Sequence, residues 1–173
     1  VYYPGVNTTN GANYLTRAAP GMVTTLLSRG LNYSFTDVTK VFNELPDPLC
    51  NHLLAALPDE EWQRWVPRLE HVSMPLGQVL LESGSSLSHV YFPTTSIVSL
   101  LYVMENGAPA EIAVVGHEGI VGIALFLGGE STHSRAVVQS AGEGYRLRAG
   151  IIKEEFGRSV AVMHLLLRYT QAL

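Results

Sequence analysis

The sequence is most informative at Gly116-His117-Glu118-Gly119-Ile120-Val121-Gly122-Ile123-Ala124-Leu125-Phe126, in the middle of a long run of short strand patterns. Three glycines punctuate a turn there, and an apolar segment of helical character follows them. In a β-rich domain this arrangement directs backbone N–H groups and a helix N-terminus into one concavity, which is the geometry that holds a small anion. The segment therefore predicts a ligand pocket.

The residues around this segment, from Leu69 to Ala149, have the two-residue period of β-strands. Turn residues bound the strand patterns at Gly77, Gly84-Ser85-Ser86, Pro93, Asn106-Gly107, Gly116, Gly128-Gly129 and Gly142. Asn106-Gly107, between the patterns at 97–104 and 110–115, predicts a β-hairpin. Many short strands at this spacing predict a sandwich or a barrel-like roll.

Helical patterns precede the strands. Asp47-Pro48 predicts a helix start that places four leucines on one face, and Pro58 ends that helix. Those leucines are Leu49, Leu53, Leu54 and Leu57. Asp59 is predicted to cap a second short helix that contains Trp62 and Trp65 and is closed by Pro67.

The first 44 residues form an extension that begins with an irregular stretch rich in Asn, Thr, Gly and Tyr. One amphipathic helix is predicted near its end, behind Ser34 and Thr36 as possible N-caps. Its apolar positions are Phe35, Val38, Val41, Phe42 and Leu45.

A second helical region follows the strands. A short helix over 152–156 is predicted to give way, near Gly157 and Ser159, to a longer one. Four residues recur in that longer helix at heptad-like positions: Val160, Met163, Leu167 and Thr170. A second apolar face consists of Val162, Leu165, Leu166 and Tyr169. Because a helix with two apolar faces needs two packing partners, we expect a second subunit to supply one of them.

The composition restricts the class of protein. The chain has 173 residues and a net charge of −4, which disfavours a nucleic-acid surface on this stretch itself. Cys50 is the single cysteine, so no internal disulfide can form and a cytoplasmic location is expected. The apolar runs are too short to span a bilayer, so no membrane association is predicted. Arg146 and Arg148, two residues apart on one strand face, are interpreted as a solvated face.

Five segments in a fixed order carry a family resemblance. They are Pro75-Leu76-Gly77-Gln78-Val79-Leu80, Glu82-Ser83-Gly84, Val90-Tyr91-Phe92-Pro93, the stretch from Gly116 to Phe126, and Ser134-Arg135-Ala136-Val137-Val138. With them, residues 49–173 resemble the sensor domain of the CRP/FNR-type bacterial transcription regulators. The resemblance implies a mainly β fold with flanking helices, a jelly-roll-like β-roll or double-stranded β-helix similar to cyclic-nucleotide-binding domains.

The resemblance also implies an organisation and a mode of action. Residues 45–157 would be the sensor domain and residues 158–173 the start of a long dimerisation helix with Val160, Met163, Leu167 and Thr170 in its seam. A homodimer is implied, with a DNA-binding helix-turn-helix domain beyond Leu173. An unidentified small-molecule effector would reposition that domain and thereby regulate transcription.

The predicted pocket departs from the family pattern. Family members that bind cyclic nucleotides carry Gly-Glu at the start of the short helix and an arginine on the next strand, for the ribose hydroxyl and the cyclic phosphate. This chain has Gly122-Ile123 and Ser134 at those places, and isoleucine cannot accept a hydrogen bond. Arg135 would reach the pocket only if a bulge, or a gap in the alignment with the family pattern, re-aimed it, and Glu118 lies too early to replace the glutamate. Binding of cAMP or cGMP is therefore disfavoured.

The pocket candidates are the residues around these two positions. They are Gly119, Gly122, Ile123, Ala124, Leu125, Ser134, Arg135 and Ala136.

Other sensor and enzyme classes require particular sets of cysteines, histidines and carboxylates. An iron–sulfur sensor needs several cysteines, and a haem sensor would need an axial ligand such as His117, His133 or His164. A cupin-like metalloenzyme needs two closely spaced histidines and a carboxylate on one strand, whereas the six histidines here are scattered. We therefore assign no catalytic residue, metal ligand or required cofactor. A stand-alone binding or protein-interaction module on a β-roll stays open as the alternative to a regulator.

Overall fold

The computed structural model describes residues 46–104, 108–127, 131–132 and 134–173. Its α-helices are α1 His52–Ala55, α2 Asp59–Trp65, α3 Ala149–Arg158 and α4 Val160–Ala172. Short 3₁₀ turns lie at Pro48–Cys50, Val66–Arg68 and Ile123–Leu125. The helix predicted over the first 44 residues and the turns predicted at Asn106-Gly107 and Gly128-Gly129 lie outside the described residues.

The described residues form seven strands in two antiparallel sheets. The strands are β1 Glu70–Met74, β2 Val79–Leu81, β3 His89–Pro93, β4 Ile97–Val103, β5 Pro109–Val115, β6 Ser134–Ser140 and β7 Gly142–Arg148. One sheet has the order β1-β7-β3 and the other has the order β2-β6-β4-β5. This mainly β architecture with helices at both ends confirms the predicted β-roll. The pairing of β4 with β5 confirms the predicted hairpin.

One face of the three-stranded sheet packs against the helices. Val90 and Phe92 of β3 and Tyr145 and Leu147 of β7 are buried in one cluster with apolar residues of all four helices. The ring of Trp65, at the end of α2, lies 6.1 Å from that of Phe92 between centroids. These residues alternate along their strands, so they occupy one face of the sheet.

The opposite face of this sheet looks into the roll. Tyr91, which lies between Val90 and Phe92, packs against a second apolar cluster. That cluster consists of Val98, Leu100, Val115, Val121 and Ala136. Most of these residues belong to the four-stranded sheet, so the roll interior lies between the two sheets.

The first predicted helix is divided in the structure. Asp47 accepts a hydrogen bond from the Leu49 backbone N–H, as an N-cap does. However, the backbone is extended at Asn51, which ends a 3₁₀ turn and caps α1. Leu49 consequently lies outside the buried cluster that contains Leu53, Leu54 and Leu57. The prediction of one continuous leucine face was wrong at its first residue.

Two other local predictions were wrong. The N-cap of α2 is Pro58, with no side-chain cap, and Asp59 is the first helical residue. Gly142 is the first residue of β7 rather than a turn residue, and it pairs with Met74. A Cβ atom at Gly142 would lie 2.5 Å from the Ser96 backbone nitrogen, so the glycine permits close chain packing there.

The predicted break before the last helix is confirmed at Ser159. Its backbone is extended, and its hydroxyl caps α4 by accepting from the Val162 N–H. The same hydroxyl donates to the Glu61 carboxylate at 2.8 Å, which is the main cause of the lowered pKa of Glu61. Arg64 of α2 bonds the buried carboxylate of Glu155 at 3.1 Å. Helix α3 is longer than predicted, because Gly157 lies inside it.

Asn51 connects the first helix to the end of β3 and to the turn that follows β5. Its side chain is fully buried, and its Nδ2 atom donates to the carbonyls of Pro93 and Gly119, each at 2.8 Å. Its Oδ1 atom accepts from the N–H groups of Leu53 and Leu54 at 3.1 Å. One side chain therefore holds α1, the end of β3 and the turn at 116–119 together.

We predict that Asn51→Ala lowers the free energy of unfolding by about 3 kcal/mol, because it removes a helix cap and leaves buried carbonyls without a donor. Denaturant unfolding measures this change. Gln63→Ala, on the exposed surface of α2, is the control and should change stability by less than about 0.5 kcal/mol. Equal stability of the two variants would contradict the role given to Asn51.

Candidate functional site

The turn that follows β5 enters the roll at Val121. The backbone N–H and carbonyl of Val121 pair with Tyr91 of β3, at 2.8 and 3.0 Å. Gly122 follows with φ +108°, a conformation that favours glycine, and a Cβ atom there would lie 3.1 Å from a methyl group of Val90. The predicted apolar helix is a single 3₁₀ turn, Ile123–Leu125.

The pocket candidates on this turn are held largely by the helical core. The Gly119 carbonyl accepts from Asn51, and Leu125 is buried in the cluster that contains the helices. Ile123 and Ala124 are half-buried and pack against the same cluster. The side chain of Val121, in contrast, packs inside the roll.

The pocket candidates on β6 divide between two faces of the four-stranded sheet. Ala136 is buried in the roll interior, and Ser134, two residues earlier, shares its face. Arg135 lies on the opposite face, with its Nε atom 3.2 Å from the Glu82 carboxylate. The register of β6 with β4 is regular over these three residues, so no bulge turns Arg135 inward.

A polar row that sequence reasoning missed lies on the roll-facing side of the other sheet. Glu70 of β1, Arg146 of β7 and Tyr91 of β3 are direct register partners. Arg148 and His89 form the next row on that face. Because Tyr91 packs against the interior cluster, the face it shares with Arg146 and Glu70 is turned toward the roll interior. Arg146 and Arg148 therefore share a face, as predicted, and with side chains 37% and 73% exposed this face is also solvated.

The electrostatics of this row are asymmetric. Arg146 bonds one oxygen of the Glu70 carboxylate through Nε at 3.0 Å and Nη2 at 2.8 Å. This hydrogen bonding is the main cause of the lowered pKa of Glu70. Arg148 stays 3.8 Å from the other carboxylate oxygen. Burial is the main cause of the lowered pKa of His89, and the positive charge of Arg146 contributes to it. Two cations thus face one anion.

The last helix contacts the turn through Tyr169. A Cβ atom added at Gly119 would overlap the Tyr169 hydroxyl, so the absence of a side chain at Gly119 permits the contact. Burial raises the pKa of Tyr169 to about 12. Helix α4 therefore lies directly against the segment that leads to Gly122.

The two apolar faces of α4 have different surroundings. Val162 and Leu166 are fully buried, and Leu165 and Tyr169 pack against the helical core. On the predicted dimer face, Val160 is 63% exposed and Leu167 is 40% exposed. Met163 and Thr170 of that face are half-buried. Leu167 also lines an open groove of about 570 Å³ between α4 and the segment at 56–58.

A metal site would need several ligands to come together in the part of the chain that the structure describes. No group of three or more His, Cys, Asp or Glu residues there could hold a metal ion. The fold does bring together His52 and His117, with ring centroids 4.6 Å apart and edge to face, which their sequence spacing does not indicate. His164 is exposed on α4, and His133 lies outside the described residues. Within the same described part, no helix is long and apolar enough to cross a bilayer.

Residues 71–159, just over half of the chain, match the family profile of the cyclic nucleotide-binding domain. A search of curated proteins finds no significant sequence match.

Solved structures share the fold at low sequence identity. The regulatory subunit of a cAMP-independent protein kinase A from Trypanosoma brucei superposes with a TM-score of 0.61 at 17% identity, over 70% of this chain and 43% of its own. The N-terminal domain of a transcriptional regulator from Streptomyces coelicolor gives a TM-score of 0.54 at 22% identity, over 70% of this chain and 85% of its own. The sensor domain of the transcriptional regulator DNR from Pseudomonas aeruginosa gives a TM-score of 0.51 at 15% identity, over 69% of this chain and 74% of its own. The chain thus spans less than half the length of the trypanosomal subunit.

Proposed function

This chain belongs to the cyclic nucleotide-binding domain family, and we propose that it is the effector-sensing domain of a CRP/FNR-like bacterial transcription regulator. The family is regulatory rather than catalytic, which accords with a non-enzymatic role. One observation carries the proposal: the helix that would continue toward a DNA-binding domain contacts the turn that enters the roll, through Tyr169 and Gly119. The similarity to regulator sensor domains supports the same role at the level of the fold.

The contacts suggest how occupancy of the roll would reach α4. Val121 and Gly122 are anchored to β3, whereas Gly119 is held between Asn51 and Tyr169. An effector that shifted this turn would change the packing of Tyr169 and so the position of α4. Such an effect requires different affinities of the effector for two arrangements of the helix. DNA-binding domains attached beyond α4 would then change their relative placement.

We propose that the effector is neither cAMP nor cGMP. Ile123 is packed against the helical core, Ser134 occupies the interior face of β6, and Arg135 lies on the other face of that strand. Both charge-assisted contacts of the cyclic-nucleotide pattern would therefore be missing. Each such contact is worth about 1.5 to 3 kcal/mol, so their loss weakens binding by several powers of ten. The trypanosomal subunit, from a cAMP-independent kinase, is an example of this fold outside cAMP control.

We predict no measurable heat when this chain is titrated with cAMP and then with cGMP in a calorimeter. Ser134→Arg should add a cation on the interior face and strengthen cAMP binding by about tenfold or more. The matched control is Gln139→Arg, an exposed position at the register irregularity near the other end of the same strand. Tight cAMP binding by the unmodified chain, or an equal gain in both variants, would contradict the proposed pocket.

A homodimer through the exposed face of α4 is part of the proposal. Val160 and Leu167 expose apolar surface on a helix whose other face is already packed in the core. Met163 and Thr170 lie on the same side by helical spacing. A second copy of α4 would bury this stripe in a coiled-coil-like seam.

We predict that Leu167→Glu converts the dimer to a monomer on a sizing column, because a carboxylate in the seam would lose hydration. Met163→Glu should have the same effect. Lys153→Glu, an exposed charge change on α3, serves as the control and should elute as the unmodified chain does. An unchanged elution volume for Leu167→Glu would remove α4 from the interface.

The regulator role predicts that the product of the complete reading frame contains a helix-turn-helix domain after residue 173 and acts in the cytoplasm. That product should retard a DNA fragment from the region upstream of its own gene, and Tyr169→Ala should alter the affinity because it uncouples α4 from the turn. Gln171→Ala, exposed on the same helix, is the control. A reading frame without a DNA-binding domain would favour the stand-alone binding or interaction module instead.

A further inference from the structure

We propose that Arg146 and Arg148 form an oxyanion-recognition site at the open end of the roll, and that the effector is a small molecule bearing a carboxylate or phosphate group that competes with Glu70 for Arg146. This inference rests on the proposed sensing function of the roll and deepens it, because it names the chemical class of the effector. It assigns the anion contact to β7, whereas the sequence pattern had drawn attention to β6.

The register between strands brings the groups together. Arg146 lies directly between Glu70 and Tyr91 across the three-stranded sheet, and Tyr91 packs against the apolar interior cluster. The Arg146 and Glu70 side chains nevertheless remain 37% and 40% exposed. These two side chains face the second sheet and are still exposed to solvent. The roll is therefore open at this point, and a soluble ligand can reach both side chains.

The other sheet contributes hydroxyl groups to the same end of the roll. A single residue, Ala141, joins β6 to β7. Ser134 is the first residue of β6 and Arg148 is the last residue of β7, so each lies at the end of its strand that is farther from Ala141. Tyr102 is the register partner of Ser134 on β4 and shares its face by alternation. These hydroxyls can donate to further oxygens of a bound anion, whereas carboxylates on this sheet, such as Glu82 and Glu111, lie on the outer face or are exposed.

The charge balance favours an anion. Arg146 uses its Nε and one Nη group on a single oxygen of Glu70, so the guanidinium keeps further donors available. Arg148 lies 3.8 Å from that carboxylate, beyond hydrogen-bonding distance, and its side chain is 73% exposed. Glu70 therefore positions Arg146 without neutralising the pair of arginines. Guanidinium groups bind carboxylates and phosphates with two parallel hydrogen bonds, which gives the site its ligand class.

The test follows the Nε–H resonances of the arginines by NMR in this chain, at constant ionic strength, as sodium phosphate or sodium acetate is added. We expect saturable shifts at Arg146 and Arg148 with at least one of the two anions. The anion that binds more tightly identifies a phosphate-bearing or a carboxylate-bearing effector. Absence of a saturable shift with both anions would overturn the proposal.

Variants separate recognition from simple ion pairing. Arg146→Gln and Arg148→Gln should each weaken binding of that anion by about tenfold, and Glu70→Gln should strengthen it by a similar factor because it removes the competing carboxylate. Arg135→Gln, on the outer face of β6, should leave the affinity unchanged. Since Arg148 is largely exposed, its variant keeps the test valid even if Arg146→Gln fails to fold. Equal losses for Arg135→Gln and Arg148→Gln, or weaker binding by Glu70→Gln, would overturn the site.

Failure of the oxyanion site can be distinguished from failure of the proposed regulator role. If neither anion binds but DNA binding by the complete product responds to another molecule, the oxyanion site is wrong and the sensor role stands. If the arginines bind an anion but the complete product does not bind DNA, the site stands and the regulator role is wrong.

Discussion

The helical core covers one face of the three-stranded sheet, and this constraint determines which side chains of that sheet look toward the other sheet. The helices need one apolar face, which Val90, Phe92, Tyr145 and Leu147 supply. Because successive strand residues point to opposite sides, the intervening residues of β3 and β7 must then look into the roll. Arg146 is directed to the interior by the burial of the residues beside it.

Two polar side chains connect this sheet to the elements at its ends. The side chain of Asn51 makes four hydrogen bonds, which connect it to α1, to the end of β3 and to the turn at Gly119. Tyr169 brings α4 to the same turn from the other side. The hydrogen bonds of Asn51 are directional, so they help to specify one arrangement of elements whose apolar faces alone could pack in several ways. The turn that leads to Gly122 is held by both.

Local patterns were sufficient for much of the fold. The two-residue period predicted the strands, Asp47 caps a 3₁₀ turn, Ser159 caps α4, and the hairpin between β4 and β5 is confirmed. Patterns failed where a long-range contact decided the outcome. Asn51 interrupts a good helical repeat because Pro93 and Gly119, far away in sequence, bond its side chain. Gly142 resembles a turn residue in sequence, yet it lies in a strand that passes close to Ser96.

The sequence by itself determined that this chain is a β-roll with flanking helices and that Arg146 and Arg148 share one face, and it predicted that the cyclic-nucleotide contact residues differ from the family pattern. These properties depend on residue type and on short-range spacing. Only the tertiary structure decided that the arginine face looks into the roll, that Glu70 is its partner, and that Tyr169 contacts Gly119. Glu70 and Arg146 are 76 residues apart in the chain. Their pairing is set by strand register and by the burial of neighbouring apolar residues, which are properties of the assembled sheets and not of any local segment.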